Sequence, residues 1–281
     1  MRRSTHIILA AASCAVVAGG AFFMPQSSAR PAVRSAPATV SAAREMGVPI
    51  IVYHVVRPSY PSDDAAVRAI AVTPETFDAE MRYLRDTGYH VIRFSDLESA
   101  LRGGTALPSN PVVLSFDDGW HDQFVYALPI LEKYHYPATF FVFTNSIGRP
   151  GFLSWSELHA LIAAGMTIGS HSRSHPFLTR IPDQATLWQE IHGSKLLLES
   201  NLGVSVNEFA YPFGAYDSSI IGMVEAAGYR SARGDYFTGG QTPAKLYALS
   251  AMNAKTALRP FVQKLRGISA LTLPLSCRPA R

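Results

Sequence analysis

Pro111-Val112-Val113-Leu114-Ser115-Phe116-Asp117-Asp118-Gly119 is the stretch on which the reading of the fold turns. From Pro111 to Phe116 only Ser115 is polar, so the run does not alternate. A strand of that kind is buried on both faces, as in a parallel sheet covered by helices. It ends abruptly in two carboxylates and a glycine. In parallel α/β folds the carboxyl ends of the strands carry the active site. One short stretch therefore suggests an architecture and a place to look for chemistry.

Outward from it, apolar runs alternate with amphipathic ones. Upstream, residues 48–53 (VPIIVY) have a buried-strand pattern. Thr73 then caps a helix that Pro74 opens, with Phe77, Met81 and Leu84 at helical spacing and Gly88 as its stop. A short strand at 90–94 and a helix at 95–101 follow. Downstream, helices are expected at 123–134, 154–164, 185–202 and 217–227, the second opened by a capping box of Ser154 and Glu157. Strands are expected between them at 138–143, 166–169, 207–211 and 229–232. Past residue 233 only a strand at 246–249 and a helix around 258–265 stand out. About six to seven strand–helix units in roughly 230 residues predict an α/β fold close to a barrel.

Composition narrows the class. Hydrophobic residues make up 48% of the 281 and charged residues 16%, which excludes a disordered chain and suits one large domain or two small ones. The formal net charge of +4 falls to +2 without residues 1–29, which hold Arg2 and Arg3 and no acid. No basic run follows Arg34, so nucleic acid is not an expected partner. Arg2-Arg3, an apolar run over 7–24 and Ser27-Ser28-Ala29 read as a signal peptide cleaved near Ala29. The alternative is an uncleaved anchor, the chain's only expected attachment to a membrane. Either way the remainder is exported, to a periplasm or to the cell surface and beyond. Residues 30–46, rich in Ala, Pro, Ser and Arg, read as a linker, and 47–281 as the functional domain. Of two cysteines, Cys14 lies in the apolar run, which leaves Cys277 without a partner in the mature chain. No heptad marks an oligomer.

Two histidines, His171 and His175, flank Ser172-Arg173-Ser174 directly after the strand at 166–169. Four residues apart, they can meet one metal ion. Asp117 and Asp118 repel each other unless a cation neutralises one; helix capping is the ordinary alternative for either. Taken together, two histidines and one carboxylate make a facial metal site with open positions, and the other carboxylate is left as a base. Breaking an amide also requires an acid to protonate the leaving amine. Among the nine histidines, His6 lies in the signal and His90 begins a strand, the wrong end. His135, His159 and His192 belong to helices. His54, ending the first strand at the catalytic rim, is preferred to His121, which opens a helix. Tyr211-Pro212-Phe213-Gly214 follows another strand; Pro212 has no N–H, so Phe213 is the candidate backbone donor to an oxyanion.

At these residues the sequence resembles the polysaccharide deacetylases of carbohydrate esterase family 4, the NodB-homology domain. Ser115–Gly119 is similar to the family's first motif, in which the first Asp is the base and the second a metal ligand. His171–His175 is similar to the second, which supplies both metal histidines, and 209–214 to the third, which gives the oxyanion N–H. The resemblance covers roughly residues 48–235 and implies a deformed (β/α) barrel of about seven parallel strands. Asp117 is then the base, and Asp118, His171 and His175 the ligands of a divalent metal: Zn²⁺, with Ni²⁺ or Co²⁺ suited to the same set.

Two departures matter. Ala210 stands where the third motif usually carries an Arg that buttresses the base, and no histidine follows His192, so the usual late Leu-x-His motif is missing. The exported deacetylases of poly-β-1,6-N-acetylglucosamine, which resemble a circular permutation with the catalytic His on an N-terminal strand, account for these departures. Val52-Tyr53-His54 resembles their motif, as do 73–77 and Phe94-Ser95-Asp96-Leu97. The resemblance selects the same His54. The fourth motif, an aromatic wall, has Trp120, Trp155 and Tyr236 as candidates. The expected activity is metal-dependent removal of N-acetyl groups from an extracellular amino-sugar polymer, poly-β-1,6-N-acetylglucosamine ahead of peptidoglycan and chitin. The alternatives are a glycan-binding module that has lost turnover and an esterase of small acetyl esters.

Overall fold

The structure is a computed structural model that describes residues 45–235, 239–254 and 257–272. The expected signal peptide, most of the expected linker, Cys277 and Tyr236 lie outside those residues. No helix among the described residues is long and apolar enough to cross a membrane.

The strands are β1 (Ile50–Tyr53), β2 (Val55–Val56), β3 (Ala71–Val72), β4 (His90–Ile92), β5 (Pro111–Phe116), β6 (Thr139–Val142), β7 (Thr167–Ser170), β8 (Glu208–Ala210), β9 (Ser231–Asp235), β10 (Leu249–Ser250) and β11 (Met252–Asn253). The main sheet runs β10-β9-β8-β7-β6-β5-β1-β11, every pairing parallel. Its two ends are separated by Ala251 alone, so one extended segment pairs with β9 and then with β1 and draws the sheet into a nearly closed barrel. Buried Gln241 ties that seam: its amide nitrogen donates to Val48 O and Ser250 O, and its oxygen accepts from Ser250 N–H. Counting the split segment once, seven positions go round the barrel. β4 is extra: it pairs with the first half of β5, and β6 with the second half. The expected deformed (β/α) barrel is what forms.

Alternation sorts the side chains into two layers. Ile50, Val52, Val113, Phe141, Ala210 and Leu249 form an inner cluster. Ile51, Tyr53, Leu114, Phe116, Phe140 and Phe209 face the surrounding helices. Inside, space is short: a Cβ on Gly169 would lie 2.5 Å from the Phe141 ring. Outside, helix α2 (Pro74–Asp86), capped by Thr73, buries Phe77, Met81 and Leu84 against Tyr53 and Phe116. Each such side chain contributes about 1.5–3 kcal/mol by leaving water. The capping box of Ser154 and Glu157 opens α5 (Trp155–Ala163) as expected.

The sequence reading lacks helix α1 (Ala65–Ile70), β2, β3 and β11 and misplaces two boundaries. Helix α1 buries no residue and so has no apolar stripe to betray it; it connects β2 to β3, a two-stranded sheet apart from the barrel. The strand expected at 229–232 is Ser231–Asp235, a shift that brings Arg233 into it. Glu45 and Met46, linker by composition, already touch the domain: Met46 bridges Gln241, and the Glu45 carboxylate accepts from Gly240 N–H at 2.6 Å.

Candidate active site

The alternation that puts Val113 and Ser115 inside the barrel carries Asp117 inside as well, at the carboxyl end of β5. Asp117 is fully buried. Its N–H continues the ladder to Tyr53 O at 2.9 Å. Its Oδ1 accepts from Arg233 Nη2, while its Oδ2 has no hydrogen-bond partner. Two histidine nitrogens face that free oxygen, His54 Nε2 and His171 Nε2, each at 3.9 Å.

Asp118, His171 and His175 come together as the sequence reading expected. Their ligand atoms all lie within 4.8 Å of one another. Asp118 Oδ1 is 3.6 Å from His171 Nε2 and 3.4 Å from His175 Nε2, and the two imidazole nitrogens are 3.1 Å apart. His171 Nδ1 is 2.7 Å from Ala210 O. A carbonyl can only accept, so Nδ1 carries the proton and Nε2 turns a lone pair to the centre. Burial pushes the His171 pKa down to about 3, so the ring is neutral. A carboxylate and two imidazole nitrogens turned inward at such distances suit a divalent cation.

The loops that deliver these groups are strained. Asp118, Ser172, His175 and Phe213 have φ values of 71°, 70°, 60° and 60°, in the left-handed region that non-glycine residues seldom occupy. The packing around them holds them there. Beside Asp118, Gly119 has φ +73°, and a Cβ on it would fall 2.8 Å from Val142 Cγ1. Ser172 Oγ, fully buried, accepts from His175 N–H at 3.0 Å.

Aromatic rings flank the triad on two sides. Trp120 stacks on Phe152 at 4.6 Å and donates its indole N–H to Asp118 Oδ2 at 3.1 Å. Phe143 stands beside both Phe152 and His175. On the other side Phe213, half-exposed, meets His175 at 4.6 Å and stacks on Phe177, which Arg180 covers. Of the candidates for the aromatic wall, Trp120 is at the site and Trp155 packs against the outer core. His121 turns away to pair with Glu157 at 3.0 Å.

Arg233 is the residue that the sequence reading missed. It is 1% exposed, lies 4.7 Å over the Phe141 ring and pairs with Asp117. In the ladder it stands opposite Ala210. A single Arg in a short strand of mixed character gave no warning of this. Its signal was indirect: Ala210 stands where the resemblance leads one to expect an Arg beside Asp117.

A seven-position parallel barrel with an Asp-His-His cluster and a second, Arg-clamped Asp at the carboxyl ends of its strands defines a hydrolase-type centre. Residues 104–232 match the family model for polysaccharide deacetylases. It is 27% identical over 183 residues to YxkH of Bacillus subtilis, a match covering 65% of this chain. It is 25% identical over 186 residues to the poly-β-1,6-N-acetyl-D-glucosamine N-deacetylase of Staphylococcus aureus, covering 60% of this chain. Each match spans 62% of the relative's own length. The fold is similar to that of the Streptococcus pyogenes deacetylase PplD, solved with acetate, at a TM-score of 0.73 and 24% identity, covering 79% of this chain and 99% of that one.

Proposed function

We propose that this protein is a metal-dependent hydrolase of N-acetyl groups on an exported amino-sugar polymer, poly-β-1,6-N-acetylglucosamine in the first instance. Asp117 is the general base, His54 the general acid, Asp118, His171 and His175 the metal ligands, and the Phe213 N–H an oxyanion donor. The observation that carries the reading is the asymmetry of Asp117. One oxygen is clamped by Arg233 and the other is free, within 3.9 Å of both His54 and His171.

A divalent ion bound by the triad would polarise water and carbonyl oxygen alike. Asp117 Oδ2 takes a proton from the attacking water, whose oxygen bonds to the acetyl carbon while the carbonyl electron pair moves onto its oxygen. That negative charge faces the turn of Phe213. When it collapses, the C–N bond breaks and His54 delivers a proton to the leaving nitrogen. The products are acetate and a free amine. The S. aureus relative supports the choice of polymer, and the apolar run at 7–24 supports export. Peptidoglycan and chitin fragments follow as substrates, and Zn²⁺ comes ahead of Ni²⁺ and Co²⁺. The non-catalytic alternative rests on Ala210 and on the unassigned fourth motif; Arg233, reaching the same carboxylate, weakens the first of these grounds.

The test is acetate and amine release from β-1,6-linked N-acetylglucosamine oligomers by the Zn²⁺-loaded protein, with Asp117→Asn as control. Release abolished in the control supports the hydrolase and its base together. Metal binding without release from these, chitin or peptidoglycan fragments would replace it with the binding-module reading.

A further inference from the structure

We propose that two π-helical turns are the devices that set the geometry of this site, Gln123 registering the acid strand against the base strand and Glu190 fixing the loop between the two metal histidines. The proposal rests on the functional reading above. The turns are Gln123–Ala127, leading into α4 (Leu128–Tyr134), and Gln189–Gly193, between α6 (Gln184–Trp188) and α7 (Ser194–Leu202). In the first, the N–H of Leu128 reaches back five residues to Gln123 O. Such turns are rare, and recur at functional sites.

Each π-turn buries one polar side chain beside an apolar one: Gln123 with Ala127, and Glu190 with Ile191. Both polar groups bond to the active-site loops. The β1–β5 ladder has its last paired residues at Tyr53 and Phe116. His54 and Asp117 come one step later, where their carbonyls have run out of ladder. Gln123 Nε2 donates to both, to His54 O at 2.7 Å and to Asp117 O at 2.6 Å. Both partners are acceptors, which fixes the amide's orientation. Gln123 is fully buried, and its Oε1 has no partner. A buried amide with its oxygen unsatisfied is costly unless its nitrogen does something specific. Here one nitrogen joins the backbones of the two residues whose side chains must share a proton path.

Glu190 does the corresponding work for the metal loop. Its Oε2 accepts from Arg173 N–H at 3.0 Å and Ser174 N–H at 2.8 Å, and its Oε1 from Ser174 Oγ at 2.6 Å. Those are residues lying between His171 and His175. With Ser172 and His175 in left-handed conformations, the loop needs such a clamp to keep both imidazoles on one centre. Gln123 and Glu190 are positioning residues, and the division of labour predicts that their losses separate.

The experiment compares Gln123→Met and Glu190→Gln with wild type in four measurements: Tm, Zn²⁺ affinity by calorimetry, kcat and KM for acetate release from a β-1,6-linked N-acetylglucosamine pentamer, and crystal structures. Gln123→Met is expected to lower kcat about 10²-fold, as a misplacement near 1 Å does, with KM and Zn²⁺ affinity within about twofold of wild type. In its crystal structure the His54–Asp117 separation widens while the triad stays. Glu190→Gln is expected to weaken Zn²⁺ binding about 10-fold or more, with kcat at saturating metal little changed. If both variants lose affinity and kcat together in proportion to a lowered Tm, the role is structural and the proposal is overturned. It is equally overturned if both behave as wild type. Should either fail to fold, Gln123→Glu and Glu190→Asp, which keep the size or the charge, take their places. Absence of turnover in wild type would sink the functional reading alone; the crystal structures and Zn²⁺ affinities still decide this one.

Discussion

Arg233 stands opposite Ala210 in the parallel ladder of β8 and β9, and its guanidinium reaches Asp117, the proposed base. The third motif would place an Arg at 210, on the neighbouring strand. Here the small side chain at 210 leaves the interior open to an Arg from the next strand. The charge pair is wholly buried, so removing one partner strands the other; such a loss costs about 3–5 kcal/mol. Arg233→Ala should therefore lower both stability and kcat. The double variant Ala210→Arg/Arg233→Ala should regain a substantial part of the kcat lost by Arg233→Ala. If the transplanted Arg restores folding, seen as Tm, without restoring any turnover, the guanidinium matters to the fold and not to the base.

Metal should stabilise the fold as well as activate it. The triad joins the loops after β5 and β7, so an ion that binds only the folded chain raises stability by about 2.7 kcal/mol at a free concentration 100 times its Kd. Chelation should then lower Tm and abolish acetate release, and Zn²⁺ should restore both. His171→Ala should lose the Zn²⁺-dependent rise in Tm, whereas His121→Ala, whose ring pairs with Glu157, should keep it. A Zn²⁺ effect on Tm that survives His171→Ala would place the ion elsewhere.

What could be read in the sequence was what short-range pattern encodes. Pro111–Phe116 and the two helix caps at Thr73 and Ser154 were legible because an apolar run or a cap is written in consecutive residues. The clustering of Asp118, His171 and His175 was legible because two strand ends each carry their share of it in a few residues. Arg233 was not, since its role depends on which strand lies beside β8 and on the space that Ala210 leaves. Of the three side chains that face Asp117 from other strands or their ends, His171 lies inside the matched segment 104–232, and His54 and Arg233 lie outside it. Helix α1 was lost for the opposite reason: with no buried face, it has no periodicity to read.

Glu80 should make stability fall as pH rises. It is buried on α2, accepts a hydrogen bond from Tyr53 OH at 2.8 Å and has its pKa pushed up to about 8 by burial, from an ordinary value of 4.5. Between those values the folded chain holds a proton that the unfolded chain releases. The stability associated with that proton is complete below the lower value and is lost as pH rises through the window to the upper, by at most about 1.4 kcal/mol per pH unit. Glu208, raised to about 7 by burial, adds to the same trend. Glu80→Gln should flatten the slope, making the variant more stable than wild type at pH 8 and little different at pH 4. Denaturant midpoints at the two pH values check this; equal slopes for variant and wild type would show that Glu80 ionises freely in the fold.

Trp120 links the rings beside the site to the proposed metal ligand Asp118. Asp118 offers Oδ1 to the two histidines and turns Oδ2 to the indole N–H at 3.1 Å, so the carboxylate is held from behind while Oδ1 faces the proposed metal site. The indole is itself fixed by its stack on Phe152. An outer partner of this kind tunes a ligand's orientation, and its loss typically weakens metal binding about 10–100-fold. Trp120→Phe keeps an aromatic ring against Phe152 and removes only the donor. It should lower Zn²⁺ affinity by about tenfold while leaving KM for the oligomer almost unchanged at saturating metal. The opposite pattern, unchanged Zn²⁺ affinity with a raised KM, would assign Trp120 to the sugar and leave Asp118 to hold its orientation without it.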